Sequence, residues 1–194
     1  FVLLACAAFL LRVLFLGHGT SFHPDERFIM MTAEKLDLKD LNPHSFAYGS
    51  FPFYLLWIVG NLCSPFYHWL GTYDGLYVVG RTLSAVTGAV GVALTSILAW
   101  KLYQDRAVAI LAGALLAFNF FHIQLSHFYA FDIILTTLST AVFIAFLDLE
   151  APFASKKNVI AGVLLGLTLA TKASALSLLL PLYFAVFLKE WSKG

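Results

Sequence analysis

The stretch VVGRTLSAVTGAVGVALTSILAW, residues 78–100, carries a single charge, Arg81, near its start. A perpendicular membrane crossing takes about 20 apolar residues, and this run is long enough. Four further apolar runs follow at 107–121, 133–147, 159–171 and 173–188, none of them charged. Another opens the chain at Phe1. Across the 194 residues 60% are hydrophobic and 12% charged, and mean hydropathy is +0.84. A soluble domain holds roughly 25% charged residues. The chain therefore reads as an all-α integral membrane protein, multi-pass, with residues 1–194 forming a single transmembrane domain.

The formal net charge of +1 excludes the basic face that a nucleic-acid partner requires. Cys6 and Cys63 both lie in apolar stretches, so no disulfide framework is expected. The start at Phe1 has no charged leader before it, and residues 1–17 lack a small-residue cleavage site, which argues against a signal peptide. Both ends read as trimmed, which makes the chain the N-terminal fragment of a longer polytopic protein. Small residues at Gly88–Gly91, Gly113–Ala114 and Gly162–Gly166 suit close helix packing in lipid. The later runs are shorter than a full crossing and either borrow neighbouring residues or form half-helices around a cavity.

Two segments depart from the spanning pattern. Residues 18–50 are polar and hold five of the eleven acids: Asp25, Glu26, Glu34, Asp37 and Asp40. Within them Phe28, Ile29, Ala33, Leu36 and Leu41 recur at helical spacing, predicting an amphipathic helix from Asp25 to about Leu41 on the membrane surface. The second segment, Phe51–Leu70, is apolar but contains Pro52, Gly60, Pro65 and seven aromatic residues, a mix that suits the bilayer interface.

Lys101 and Arg106, Lys156 and Lys157, and Lys189 and Lys193 flank every second connection. The positive-inside rule places them in the cytoplasm, which puts Asp132 and Lys172 on the external side. The side taken by residues 18–50 depends on whether Phe51–Leu70 crosses, and charge counting does not choose.

Four places along the chain can carry chemistry. In His23-Pro24-Asp25-Glu26-Arg27, Pro24 suits the first position of a helix, so the acids fall in its first turn at the membrane boundary. Carboxylates there can accept a proton from a hydroxyl or hold a divalent cation; they can equally complement the helix N-terminus. Asp132 lies between two uncharged runs, where an acid is costly unless paired or solvated; the competing reading is a cap for the helix at Ile133. Lys172, between two apolar runs with hardly any loop, invites an anion such as a lipid phosphate, or else snorkels to a headgroup. Arg81 is similarly placed, with a plain interfacial anchor as its alternative. His122 and His127 are weaker candidates, as metal ligands.

The order of these signals resembles the N-terminal half of a GT-C glycosyltransferase. It is most similar to the bacterial relatives of protein O-mannosyltransferases and of aminoarabinose transferase (the glycosyltransferase 39 and 83 type). The stretches that carry the resemblance are HPDE at 23–26, YGSFPFYLL at 48–56, GRTLSAVTG at 80–88, QLSHFYAFD at 124–132 and GLTLATK at 166–172. It implies a GT-C-like helix bundle with amphipathic interfacial helices in a first external loop, so that Phe51–Leu70 does not cross. It also implies inverting transfer of a sugar from a polyprenyl-phosphate donor to a protein or lipid acceptor at the external face of a bacterial plasma membrane. Asp25, with Glu26 beside it, matches the catalytic carboxylate that deprotonates the acceptor; Asp132 matches the acid of the second external loop. Lys172 matches a cation on the carrier phosphate, and Arg81 a recurring arginine assigned to the same phosphate. Metal use differs among GT-C relatives; the closest resemblance requires none, and a divalent metal is left open. Family members are longer, so the fragment alone is expected to lack part of its site. A transporter or channel with acidic ion-relay residues is the alternative. It predicts inverted repeats and broken helices at the midplane, whereas the acids here sit at run ends.

Overall fold

In a computed structural model the chain is described over residues 1–14, 16, 23–149 and 155–191, with side chains omitted at 185 and 188–191. Residues 18–22 of the polar loop and the expected cytoplasmic Lys193 lie outside the described residues, as does the side chain of Lys189. The described residues are helical, without strands: α1 (Val2–Val13), α2 (Pro24–Ala33), α3 (Phe51–Cys63), α4 (Tyr73–Tyr103), α5 (Arg106–Ala117), α6 (Phe120–Ser126), α7 (Phe131–Leu147), α8 (Lys156–Leu169) and α9 (Leu179–Trp191). Short 3-10 helices at His68–Gly71 and Ala173–Leu178 precede α4 and α9.

The decisive run lies within α4, whose 31 residues extend about 46 Å at 1.5 Å per residue. Thr72 caps it by accepting from the Gly75 N–H, and Gln104 ends it in the left-handed region at φ 53°. It packs against α1, α5 and α7, and α7 packs against α8. Two of the expected small-residue contacts are made. A Cβ on Gly88 would strike Ser126 and Arg12, and one on Gly113 would strike Ser96. Gly162 and Gly166 behave otherwise: no heavy atom lies within 4 Å of a Cβ added at either, so this face of α8 meets none of the described residues.

Among the described residues α4 alone is long and apolar enough to cross a membrane by itself, and the pair α5 and α6 qualifies if counted together. That pair is bent by 59° at Phe118–Asn119, so the run 107–121 is two helices. The run 173–188 likewise opens as a 3-10 helix before α9. Large apolar side chains face outward on α5 (Ile110, Leu111, Leu115) and α8 (Val159, Ile160, Val163).

The expected amphipathic helix is shorter than its apolar spacing suggested. α2 ends at Ala33, and Asp37 and Asp40 close a tight turn through paired backbone hydrogen bonds. Its apolar residues Ile29, Met30 and Ala33 are fully buried against Phe53, Leu56 and Leu76 of α3 and α4, so protein rather than lipid covers that face. Both ends of α3 meet the same end of the bundle. Its first N–H, from Phe51, donates to Ala170 at the end of α8 (3.0 Å), and Gly60 near its other end packs on Leu76 in the first turn of α4. α3 therefore lies across the end of the bundle and does not run its length. At the opposite end Lys101 of α4 donates to both carboxylate oxygens of Asp148, just past α7, at 2.6 and 2.8 Å.

Candidate active site

Pro24 takes the first helical position of α2, and the His23 side chain accepts from the Asp25 N–H at 3.3 Å. The two acids of the first turn then diverge, because adjacent helical residues point about 100° apart. Asp25 is partly exposed, whereas Glu26 is fully buried.

Glu26 faces Arg81 on α4. Nε of Arg81 donates to Oε1 at 2.9 Å and one terminal nitrogen to Oε2 at 3.1 Å, while the Tyr129 N–H donates to Oε1 at 3.1 Å. The other terminal nitrogen of Arg81 donates to the Leu16 carbonyl at 2.7 Å, and the guanidinium lies 3.9 Å from the centre of the Tyr77 ring. Both residues are thus saturated inside the protein. A catalytic share for Glu26 or a phosphate contact for Arg81 would require this buried pair to open. In this arrangement neither presents a polar atom to a ligand, because each is the other's counter-charge.

Asp132 and Lys172 are brought together. The sequence left open whether Asp132 caps α7, but the helix starts at Phe131 with Ala130 as its N-cap, so Asp132 sits inside the first turn with its carboxylate free of capping. Lys172 lies in extended backbone between α8 and the following 3-10 helix, and its Nζ donates to Asp132 Oδ1 at 2.8 Å. The side chains are 31% and 41% exposed, so a ligand can reach the pair. The hydrogen bond that Lys172 donates to Asp132 raises its pKa above the ordinary lysine value; desolvation opposes this, and the Asp132 carboxylate, with smaller shares from the Tyr48 phenol and Asp25, adds to it.

The loop before α3 closes this place from the side. Gly49 N–H donates to the Thr171 carbonyl at 3.2 Å, one residue from Lys172. A Cβ on Gly49 would collide with the Ala170 carbonyl, so the approach requires glycine. Tyr48 stacks on Phe131 with ring centroids 4.4 Å apart, and the Lys172 ammonium lies 5.9 Å from the centre of its ring. Phe28 and Phe53 pack around these rings.

Tyr48 and Arg12 were not singled out by spacing or charge counting. Tyr48 opens the aromatic stretch 48–56, but only the Gly49 contact to α8 puts it beside Lys172. Arg12 is the one charge in the first apolar run, a signal that intramembrane charges deserve. His122 and His127 do not form a metal site. His122 Nδ1 lies 2.8 Å from an Arg12 nitrogen, and His127 contacts the Ile123 and Leu14 carbonyls. Among the described residues no group of three His, Cys, Asp or Glu side chains could hold an ion.

Comparison with protein families matches residues 67–193 to dolichyl-phosphate-mannose-protein mannosyltransferases. The chain belongs to that family. No curated protein and no solved structure gives a match. The matched span takes in α4 to α9, and with them Arg81, Asp132 and Lys172, whereas Asp25, Glu26 and Tyr48 precede it. Family membership makes this a glycosyltransferase chain of the mannosyltransferase type, with a polyprenyl-phosphate sugar as donor. The family's proteins are integral to membranes, which accounts for the apolar side chains facing outward on α5 and α8.

Proposed function

We propose that this chain carries the donor end of an enzyme that moves a sugar from a polyprenyl-phosphate carrier to the hydroxyl of a protein acceptor, at the external face of the membrane and with inversion. The observation that carries the reading is the 2.8 Å contact of Lys172 with Asp132, between side chains that a ligand can reach. A phosphate arriving at Lys172 exchanges one anionic partner for another, so the cation is already aimed.

In this reading Asp25 takes the proton of the acceptor hydroxyl as its oxygen attacks the anomeric carbon. The bond from that carbon to the carrier oxygen breaks, and the carrier phosphate leaves with the electron pair. Lys172 stabilises the negative charge that develops there, a contribution that grows where water is excluded. Asp132 holds Lys172 in place before the donor binds. Attack from the face opposite the leaving phosphate inverts the anomeric centre. Glu26 and Arg81 serve the site indirectly, by fixing α2 to α4 so that Asp25 projects outward. The positive-inside assignment of Lys101 and Arg106, which sit at the far end of α4 from the site, supports the external side. Lys172, held by Asp132, brings positive charge to this place.

The test is Asp25→Asn in the full-length enzyme, assayed for mannosyl transfer from a polyprenyl-phosphate donor to a peptide hydroxyl. A positioned general base contributes about 10²- to 10⁴-fold, and a loss of that size with unchanged thermal stability is expected. Transfer at the wild-type rate would remove Asp25 as the base.

A further inference from the structure

The reaction outlined above leaves one buried charge without a role. Arg12, in the last turn of α1, has no exposed surface, and among the described residues no carboxylate pairs with it. An isolated buried cation is expensive unless dipoles replace its lost hydration. Here the dipoles come from a broken helix. One terminal nitrogen donates to the Ala8 carbonyl at 2.8 Å and the Ala117 carbonyl at 3.3 Å; the other donates to the Leu116 carbonyl at 3.3 Å and to Nδ1 of His122 at 2.8 Å.

Leu116 and Ala117 are the last residues of α5, and His122 lies in the first turn of α6. The guanidinium therefore bridges the two sides of the 59° break. α5 has no basic residue in its own last turn, and the cation of α1 meets its negative end. Beyond α6 the chain is tied at every step. His127 lies 3.0 Å from the Leu14 carbonyl, the Phe128 carbonyl accepts from Ser84 at 2.7 Å, and Tyr129 bonds Glu26 through its N–H and the Pro52 carbonyl through its hydroxyl. Asp132 follows three residues later.

We propose that Arg12 is a positioning residue for sugar transfer: by pinning the angle between α5 and α6 it delivers Asp132 to Lys172. The inference rests on the site reading given above, and a double-mutant cycle separates the two. Arg12→Met removes the charge at similar length. Arg12→Lys keeps the charge but lacks the fork that reaches both α5 and His122. In the full-length enzyme, with a polyprenyl-phosphate-mannose donor and a peptide acceptor, each should lower kcat about 10- to 100-fold, the scale of misplacement by about an ångström. The same substitutions made on Asp132→Asn should lower kcat no further, because the group they position is already gone. If Arg12→Met does not accumulate, Arg12→Lys carries the cycle. So does Asn119→Ala, which removes the cap of α6, a hydrogen bond to the His122 N–H of 2.9 Å. A cycle in which the losses multiply, on an impaired Asp132→Asn background, overturns this inference alone. Wild-type transfer by Asp132→Asn overturns the site reading and this inference with it.

Discussion

Replacing Glu26 by Gln distinguishes a buried structural carboxylate from a catalytic one. In the native arrangement Oε1 accepts from Arg81 Nε and from the Tyr129 N–H, while Oε2 accepts from a second Arg81 nitrogen. Glutamine can keep the two bonds to Oε1, but its amide then points a donor at a donor of Arg81, and the guanidinium loses its counter-charge. Arg81 is 3% exposed and Glu26 0%, so water does not relieve the imbalance. Breaking a buried pair by removing one partner costs about 3–5 kcal/mol, a factor of roughly a hundred to several thousand in the folded population. For a chain of this length each kcal/mol moves the midpoint about 2–4 °C, so thermal unfolding of the purified protein in detergent should shift by on the order of 10 °C. The double variant Glu26→Leu with Arg81→Met should recover most of that loss, since an apolar pair of similar volume leaves no unpaired charge. A Glu26→Gln protein with an unchanged midpoint and abolished transfer would refute this reasoning and return Glu26 to the chemistry.

Other outcomes follow from the same geometry. Lys172→Met should raise the donor KM and lower kcat, whereas Lys172→Arg should retain part of both, read by transfer kinetics at varied donor concentration. Because Asp132 raises the Lys172 pKa, the ammonium keeps its charge until the pH passes above the ordinary lysine value of about 10.4. Binding that depends on this charge is full below that pH and is lost above it, and Asp132→Asn should move the alkaline limb of kcat/KM to lower pH. Gly49→Val should unseat the loop from Ala170 and Thr171, cutting transfer at least ten-fold while α4 and α7 stay packed; normal transfer would show that the loop contact is dispensable. Single cysteines placed at 44 and 172 should be labelled by an impermeant thiol reagent from the same side, and one at 103 from the other; labelling of 44 together with 103 would overturn the placement of α3 across the bundle end.

The sequence alone established the solvent of this protein and the order of its parts. Apolar runs with few charges specify helices in lipid whatever their neighbours, because unsatisfied backbone groups are too costly there. Pro24 likewise marks a helix start through backbone restriction, and it takes the first position of α2. Composition also picked out Asp25, Asp132, Lys172, Glu26 and Arg81 as costly charges. Tertiary structure alone decided what each charge faces. Asp25 and Glu26 are neighbours in sequence, yet one is partly exposed and the other is locked to Arg81, 55 residues away. The break between α5 and α6 and its Arg12 clamp were hidden for the same reason: the partner carbonyls lie 104 and 105 residues along the chain. Burial and pairing are set by how helices cross, and helical periodicity fixes only the direction in which each side chain leaves its own axis.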